Sequence, residues 1–187
     1  MREPPIILTY QWGAAPPRER IQNAGQPERI IFHHTAGHAP DIDGTANESK
    51  EEAFRYARAI QAYHMGLGWN DSGHNFLVCR NGLILVGRHN SYPRVKAGLM
   101  VVSAHCPGQN DQPGIEHEHL GAEPMTTAQF QASAWLHAWV IHCCGMRSTG
   151  TIIPHSYYIP TACPGALATE LHALRQRVVS ILNHGGP

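Results

Sequence analysis

Charged residues are scarce in this chain: Asp, Glu, Lys and Arg make up 15% of its 187 residues, and the formal net charge is zero. There is no basic run that would follow a phosphate backbone, which argues against a nucleic-acid-binding protein. Apolar stretches are also short, and none reaches the roughly 20 residues that a membrane-spanning helix needs. The apolar run near the N-terminus is too short for a signal peptide, so we expect no secretion by such a signal.

Cysteine is scarce as well and its number is odd, with five residues of which Cys143 and Cys144 are adjacent. An odd count does not suggest a disulfide framework, so we expect reduced thiols, most of them buried. Hydrophobic residues make up 42% of the chain, which is enough to bury a core, and the length suits a single domain. The segment 1–28, rich in Pro, Gly and Arg, is expected to form an N-terminal arm packed on a core of residues 29–187.

Strand and helix signals alternate after this arm. Residues 29–33 form a short apolar strand, 36–48 resemble a loop, and Ser49 with Glu52 forms a capping box for a helix that ends near Gly66. The same patterns predict further strands at 75–79, 83–86, 101–104, 114–120 and 152–154, and further helices at 126–144 and 164–183.

Turn and cap motifs set several of these boundaries. Asn81-Gly82 between two apolar runs is a strong hairpin signal. Thr126 followed by Gln129 is a second capping box, and Gly185 is placed to end the last helix. Strands mixed with helices in a chain of this size predict an α/β fold, a single domain whose central mixed β-sheet is flanked by helices.

The stretch from His155 to Pro164, HSYYIPTACP, places a histidine eight positions before a cysteine. Proline is favoured at the first position of a helix, so we expect Cys163 at a helix N-terminus, where the partial positive charge stabilises a thiolate. With an imidazole from the pair His33-His34, these residues would supply three zinc ligands and leave a fourth position open, as in catalytic zinc sites. The alternatives for Cys163 are a small buried side chain and the nucleophile of a cysteine hydrolase.

Several motifs, taken in order, resemble the zinc-dependent N-acetylmuramoyl-L-alanine amidases, the amidase type 2 family that includes phage lysozyme-type amidases and peptidoglycan recognition proteins. The similarity extends over about residues 10–182. The motifs that carry it are Trp12-Gly13-Ala14 with Pro16-Pro17, IIFHHTAG at 30–37, IQAYHMGLGWNDSGHNF at 60–76, Arg80-Asn81-Gly82, Val86-Gly87-Arg88, Ser103-Ala104-His105 with Asn110, and TACPG at 161–165.

This resemblance implies one zinc ion per chain, bound by His33, His155 and Cys163. It also implies the reaction, hydrolysis of the amide between N-acetylmuramic acid and L-alanine of peptidoglycan. Family members that only bind peptidoglycan often lack the cysteine, so its presence favours catalysis. The resemblance further implies substrate contacts by His105, Asn110, Thr161 and Trp69, although for Trp69 a place in the core is the alternative.

One departure from the family pattern bears on the proton-transfer step. His74 follows Gly73, where the lysozyme-type branch carries a tyrosine implicated in catalysis. The anhydromuropeptide-recycling branch has a histidine there and uses the glutamate of a Gly-Ile-Glu strand as general base. This chain reads Gly-Ile-Glu up to Glu116, so Glu116 is the expected base, with Glu118 as its competitor on the same strand face. His74 or His105 is the expected oxyanion partner, and Thr161 stands where some phage enzymes have a catalytic lysine.

The leading hypothesis is an endolysin of a phage or prophage, held in the host cytoplasm until it reaches the cell wall. The alternatives are a cytoplasmic recycling amidase that acts on soluble anhydromuropeptides and a non-catalytic peptidoglycan-binding module. In each case the expected partner is peptidoglycan or a muropeptide. Neither nucleic acid nor membrane is expected as a partner, and we expect a monomer.

Overall fold

A mixed β-sheet of six strands lies at the centre of the protein, whose computed structural model describes residues 1–36 and 49–185. The predicted loop at 36–48 therefore lies outside the described residues, apart from Ala36. The strands within the described ranges are β1 (Ile6–Ile7), β2 (Asn23–Ala24), β3 (Ile30–His34), β4 (Phe76–Val78), β5 (Ile84–Val86), β6 (Met100–Val101), β7 (Gly114–His117) and β8 (Ile152–Pro154).

The order of the strands across the sheet is β1-β5-β4-β7-β3-β8. β3 pairs in parallel with both β7 and β8, whereas β4 and β5 form the antiparallel hairpin that Asn81-Gly82 predicted. β1 comes from the segment 1–28 and pairs in parallel with β5. Because parallel strands end at the same edge of a sheet, residues at or after the ends of β3, β7 and β8 come close together.

Helices cover both faces of this sheet: α1 (Thr9–Trp12), α2 (Lys50–Gly66), α3 (Ser91–Lys96), α4 (Thr127–Cys143) and α5 (Leu171–His184). Alternate residues of a strand point to opposite faces, and the two hydrophobic clusters follow this alternation. Phe76 and Val78 pack with α4 and α5, whereas Leu77 packs with Trp12 and α2. These findings confirm the predicted fold class. No helix in the described ranges is long and apolar enough to cross a membrane.

The helix boundaries follow from local chemistry. The capping box at Ser49 and Glu52 is confirmed, with each side chain accepting a hydrogen bond from the backbone N–H of the other residue. Thr126 accepts from the Gln129 backbone N–H, but the Gln129 amide donates instead to the carbonyls of Val78 and Glu118. The second capping box is therefore only half formed, because the sheet takes the Gln129 side chain.

The predicted helix at 164–183 was wrong at its start. A 3₁₀ helix spans Gly165–Glu170, and α5 begins only at Leu171. Gly165 has a φ of +60°, and a Cβ there would come within 2.5 Å of the His34 ring. This left-handed residue interrupts right-handed helical geometry and lets the chain pass close beneath His34.

Two predicted strands were too long. The strand expected at 101–104 is β6 at Met100–Val101, which pairs with β2 in a separate two-stranded sheet. The strand expected at 114–120 ends at His117. At the other end of the fold, Gly185 ends α5 with a φ of +83°, as its position predicted.

Candidate functional site

Three possible metal ligands meet at the carboxyl edge of the sheet. His33 is the penultimate residue of β3, and His155 follows β8 directly. Cys163 lies in the loop that returns toward His155, where its carbonyl accepts a hydrogen bond from the Ser156 backbone N–H at 3.0 Å. The ligand atoms of His33, His155 and Cys163 all lie within 4.8 Å of one another.

His33 faces this cluster with one particular nitrogen. Its Nδ1 lies 3.6 Å from the Cys163 sulfur, whereas its Nε2 lies 2.9 Å from Nδ1 of His105. The backbone N–H of His34 also points at the Cys163 sulfur, at 3.4 Å. The ring of His34 itself turns to His119, with their Nδ1 atoms 3.5 Å apart.

The chemistry of these residues fits a zinc ion. Both ring nitrogens of His155 are buried and have no hydrogen-bond partner among the described residues, which is costly unless a bound group satisfies one of them. Burial, aided by the nearby His74 and His105, holds the pKa of His33 well below its ordinary value, and burial also lowers the pKa of His155. Both imidazoles are therefore neutral at neutral pH, the form that binds metal. Two imidazoles and one thiolate form the three-ligand set of an open zinc site.

The environment of Cys163 differs from the one predicted. The expected α-helix N-terminus is absent at Pro164, and burial raises the pKa of the Cys163 thiol to about 12. The expectation that a helix dipole produces the thiolate was therefore wrong. In this setting the charge of a bound cation has to stabilise the thiolate, with help from the His34 N–H.

Glu116 enters the same region from β7, in register with His33. One of its carboxylate oxygens lies 2.8 Å from Nδ1 of His74, and both side chains are buried. Burial, aided by the nearby His155, lowers the pKa of His74 to about 3, so this histidine is neutral at neutral pH. The other candidate base, Glu118, lies beyond the end of β7, where its carboxylate accepts the Arg80 backbone N–H at 2.9 Å.

A cavity of about 430 Å³ opens onto these groups. Of the predicted substrate contacts, Trp69, Thr161 and His105 line it. The Trp69 ring stacks on His64 with ring centroids 4.7 Å apart, and the Thr161 hydroxyl accepts the Cys163 backbone N–H at 3.2 Å. Asn110 is not brought to this cavity, because its side-chain oxygen accepts the Cys106 backbone N–H within its own loop.

One wall of the cavity was missed by the sequence reasoning. Ile60, Tyr63 and Leu67 line it from the C-terminal end of α2, and Tyr63 and Leu67 are 39% and 53% exposed. Their spacing of three and four residues is the signal that predicts one helix face. Ile60 is buried in the core, and the structure shows that this side of the helix continues past the core into the cavity.

Known proteins are similar to this chain in sequence and in fold. The model of the N-acetylmuramoyl-L-alanine amidase family matches residues 23–166. Peptidoglycan-recognition protein SC2 of Drosophila melanogaster is 29% identical over 164 residues, which cover 86% of this chain and 80% of that protein. The human protein named N-acetylmuramoyl-L-alanine amidase is 27% identical over 173 residues, which cover 90% of this chain but 28% of the human protein.

Solved structures show the same fold. Drosophila peptidoglycan recognition protein LB superimposes with a TM-score of 0.71 at 24% identity, covering 87% of this chain and 88% of that one. The endolysin LysCS from Clostridium intestinale superimposes with a TM-score of 0.68 at 21% identity, covering 92% of this chain and 95% of that one. Because the family model spans most of the sequence, and the fold agrees with it, the chain belongs to the N-acetylmuramoyl-L-alanine amidase family.

Proposed function

We propose that this protein hydrolyses the amide between N-acetylmuramic acid and L-alanine in bacterial peptidoglycan, with one zinc ion bound by His33, His155 and Cys163. The observation that carries the proposal is the convergence of these three side chains, within 4.8 Å, at the wall of a cavity that also contains Glu116. When bound, zinc polarises the scissile carbonyl and lowers the pKa of water to about 7.

The chain's own residues account for the proton transfers. Glu116 takes a proton from the attacking water and later returns it to the leaving amine, acting first as general base and then as general acid. A new C–O bond forms as the C–N bond breaks, so the products are a lactyl carboxylic acid and a peptide with a free amino terminus. Nδ1 of His74 lies 2.8 Å from the Glu116 carboxylate, so the two side chains are in contact at the wall of the cavity.

The shape of the cavity supports a substrate that extends beyond it. Tyr63 and Leu67 form a partly exposed apolar wall, and Tyr157, two residues after His155, is 74% exposed. Aromatic and aliphatic side chains of this kind contact sugar faces and peptide side chains while leaving the rim open to solvent. Related structures carry a ligand of this class, since the peptidoglycan recognition proteins LB and LE are described in complex with tracheal cytotoxin.

The proposed activity is compatible with two natural substrates, intact cell wall and soluble fragments. The open rim supports intact wall and hence an endolysin, which we propose as the first assignment. The pairing of His74 with Glu116 supports the alternative, a recycling amidase that acts on anhydromuropeptides.

Digestion of purified sacculi, followed by mass analysis of the soluble products, tests the proposal. We expect free stem peptides and uncut glycan strands, with the reaction abolished by a zinc chelator and restored by added zinc. Glycan fragments as the main product, or activity that survives the chelator, would overturn it. The same assay on soluble anhydromuropeptides ranks the two substrates.

A further inference from the structure

We propose that His105 is a positioning residue: it fixes the tautomer and the orientation of the His33 ring so that Nδ1 of His33 faces the metal. This inference rests on the proposed zinc site. It assigns His105 a different task from the substrate contact that the sequence predicted. His105 lies in the middle of a hydrogen-bonded series, His33–His105–Gln112, which we call the relay.

The direction of the relay follows from its last member. The main-chain carbonyl of Gln112 can only accept, and it lies 2.9 Å from Nε2 of His105. The proton of neutral His105 is therefore on Nε2, and its Nδ1 is an acceptor. That Nδ1 lies 2.9 Å from Nε2 of His33, so His33 donates from Nε2 and keeps a lone pair on Nδ1. This is the nitrogen that lies 3.6 Å from the Cys163 sulfur.

The Gln112 carbonyl is held rigidly relative to β3. The Gln112 side-chain oxygen accepts the backbone N–H groups of Glu28 and Arg29 at 2.8 and 3.0 Å, directly before that strand begins. The two ends of the relay are thus tied to the same strand. A histidine ligand whose second nitrogen is fixed in this way is pre-oriented for its metal.

The fold also reserves a place for the His105 ring. Gly114, the first residue of β7, packs directly against it, and a Cβ on Gly114 would lie 2.4 to 2.8 Å from three ring atoms. The backbone of Gly114 does not have a positive φ, so conformational freedom does not require glycine at this position. Close contact with the His105 ring is what requires glycine here, because a larger residue would overlap the ring.

The relay uses both nitrogens of His105, and the side chain is only 5% exposed. Neither nitrogen is left to donate to a substrate oxyanion, so the expectation of His105 as an oxyanion partner does not fit the structure. Asn110 belongs to the same arrangement, because it accepts the Cys106 backbone N–H and so closes the loop that carries His105.

A matched pair of variants tests the relay. In His105→Asn the side-chain oxygen occupies the place of Nδ1 and can accept from His33. In His105→Gln the amide extends to the place of Nε2 and leaves His33 without an acceptor. We expect zinc affinity, measured by competition with a chromogenic chelator, to fall roughly 10- to 100-fold in His105→Gln and much less in His105→Asn. The visible spectrum of bound cobalt should shift only in the Gln variant.

Gly114→Ala provides a second route, because it displaces the ring without changing its chemistry, and it should also weaken zinc binding. Circular dichroism establishes that each variant is folded. Equal affinity in Asn, Gln and wild-type proteins would overturn the proposal, as would equal losses in the two folded variants, which would indicate packing alone. Failure of the wild-type protein to bind zinc would instead refute the proposed function.

Discussion

Two histidine clusters lie on opposite faces of the paired strands β3 and β7. The cavity cluster contains His33, His74, His105, His155, Glu116 and Cys163. The sealed cluster contains His117 of β7 with Ser133 and His137 of α4, all fully buried between the sheet and the helix. His117 follows Glu116 directly, so one step along a strand moves a side chain from one cluster to the other.

The two clusters differ in what their nitrogens contact. Nδ1 of His117 donates to the His33 carbonyl at 2.8 Å, and its Nε2 accepts from the Ser133 hydroxyl at 2.7 Å. In the cavity cluster both nitrogens of His155 lack a hydrogen-bond partner among the described residues. Within the described part of the chain, only His33, His155 and Cys163 bring three ligand groups together. A count of histidines therefore does not identify a candidate metal site, whereas the convergence of His155 and His33 on a thiol does.

The largest effect that would test this contrast is the loss of the thiol. We expect Cys163→Ala to lose zinc and to reduce amidase activity to the uncatalysed background, because two imidazoles alone hold the ion weakly. The fold should survive, since the residue lies in a loop at the sheet edge. Metal analysis and sacculus digestion measure both effects.

Cys143→Ala is the matched control for that experiment. Cys143 is half-buried at the end of α4, outside the cavity, and its loss should leave zinc content and activity unchanged. Full activity in Cys163→Ala, or zinc loss in Cys143→Ala, would contradict the ligand assignment.

The next largest effect should come from the residue that transfers the proton of the attacking water. We expect Glu116→Gln to keep zinc but to lose about 10²- to 10⁴-fold in rate, since the amide cannot accept the proton of water. Glu118→Gln should be nearly silent, because an amide oxygen can still accept the Arg80 N–H. A large loss in Glu118→Gln with little effect in Glu116→Gln would reverse the assignment of the base.

Much of this arrangement could be predicted from the sequence, and the reasons are local. The capping box of Ser49, the Asn81-Gly82 hairpin and the alternation along 114–117 each depend on a few neighbouring residues. The resemblance to a family supplied His33, which is far from His155 and Cys163 along the chain.

The other features could not be predicted, because they depend on contacts between residues that are far apart in the sequence. The missing α-helix N-terminus at Pro164 goes with a left-handed Gly165 that packs closely against His34, two residues that are distant in sequence. The relay likewise depends on the main-chain carbonyl of Gln112, and every residue type has such a carbonyl. The separation of Glu118 from the cavity follows from where β7 ends, and strand ends are poorly marked in sequence.

The sealed cluster should give a smaller effect, which is a change in the free energy of unfolding with pH. Burial lowers the pKa of His137 to about 4 from an ordinary 6.5. Below pH 6.5 His137 binds a proton in the unfolded chain, whereas in the folded protein it stays neutral down to about pH 4. The free energy of unfolding therefore falls as the pH falls from 6.5 to 4. At about 1.4 kcal/mol per pH unit, the loss is on the order of 3 kcal/mol. Burial also lowers the pKa values of His33, His74, His105 and His117. The part due to His137 is therefore the difference between the wild-type protein and a His137 variant, each unfolded in urea at pH 7 and pH 4.

His137→Asn removes that titration while keeping a neutral amide at the place of Nδ1, where it can still donate to the Ser133 carbonyl. Its unfolding free energy should depend less steeply on pH than that of the wild-type protein over the same window. Parallel pH dependences in the two proteins would show that His137 does not contribute to acid sensitivity.

The smallest effect should come from the cavity rim, where we expect side chains to contact substrate without taking part in the chemistry. Tyr63→Ala removes part of the apolar wall, and because Tyr63 is already 39% exposed, only about 1 kcal/mol of binding is expected. This corresponds to a rise in KM of roughly fivefold with kcat unchanged. Tyr10→Ala, at a 76% exposed residue outside this cavity, is the control. A fall in kcat for Tyr63→Ala would place this residue with the reacting groups of the cavity cluster.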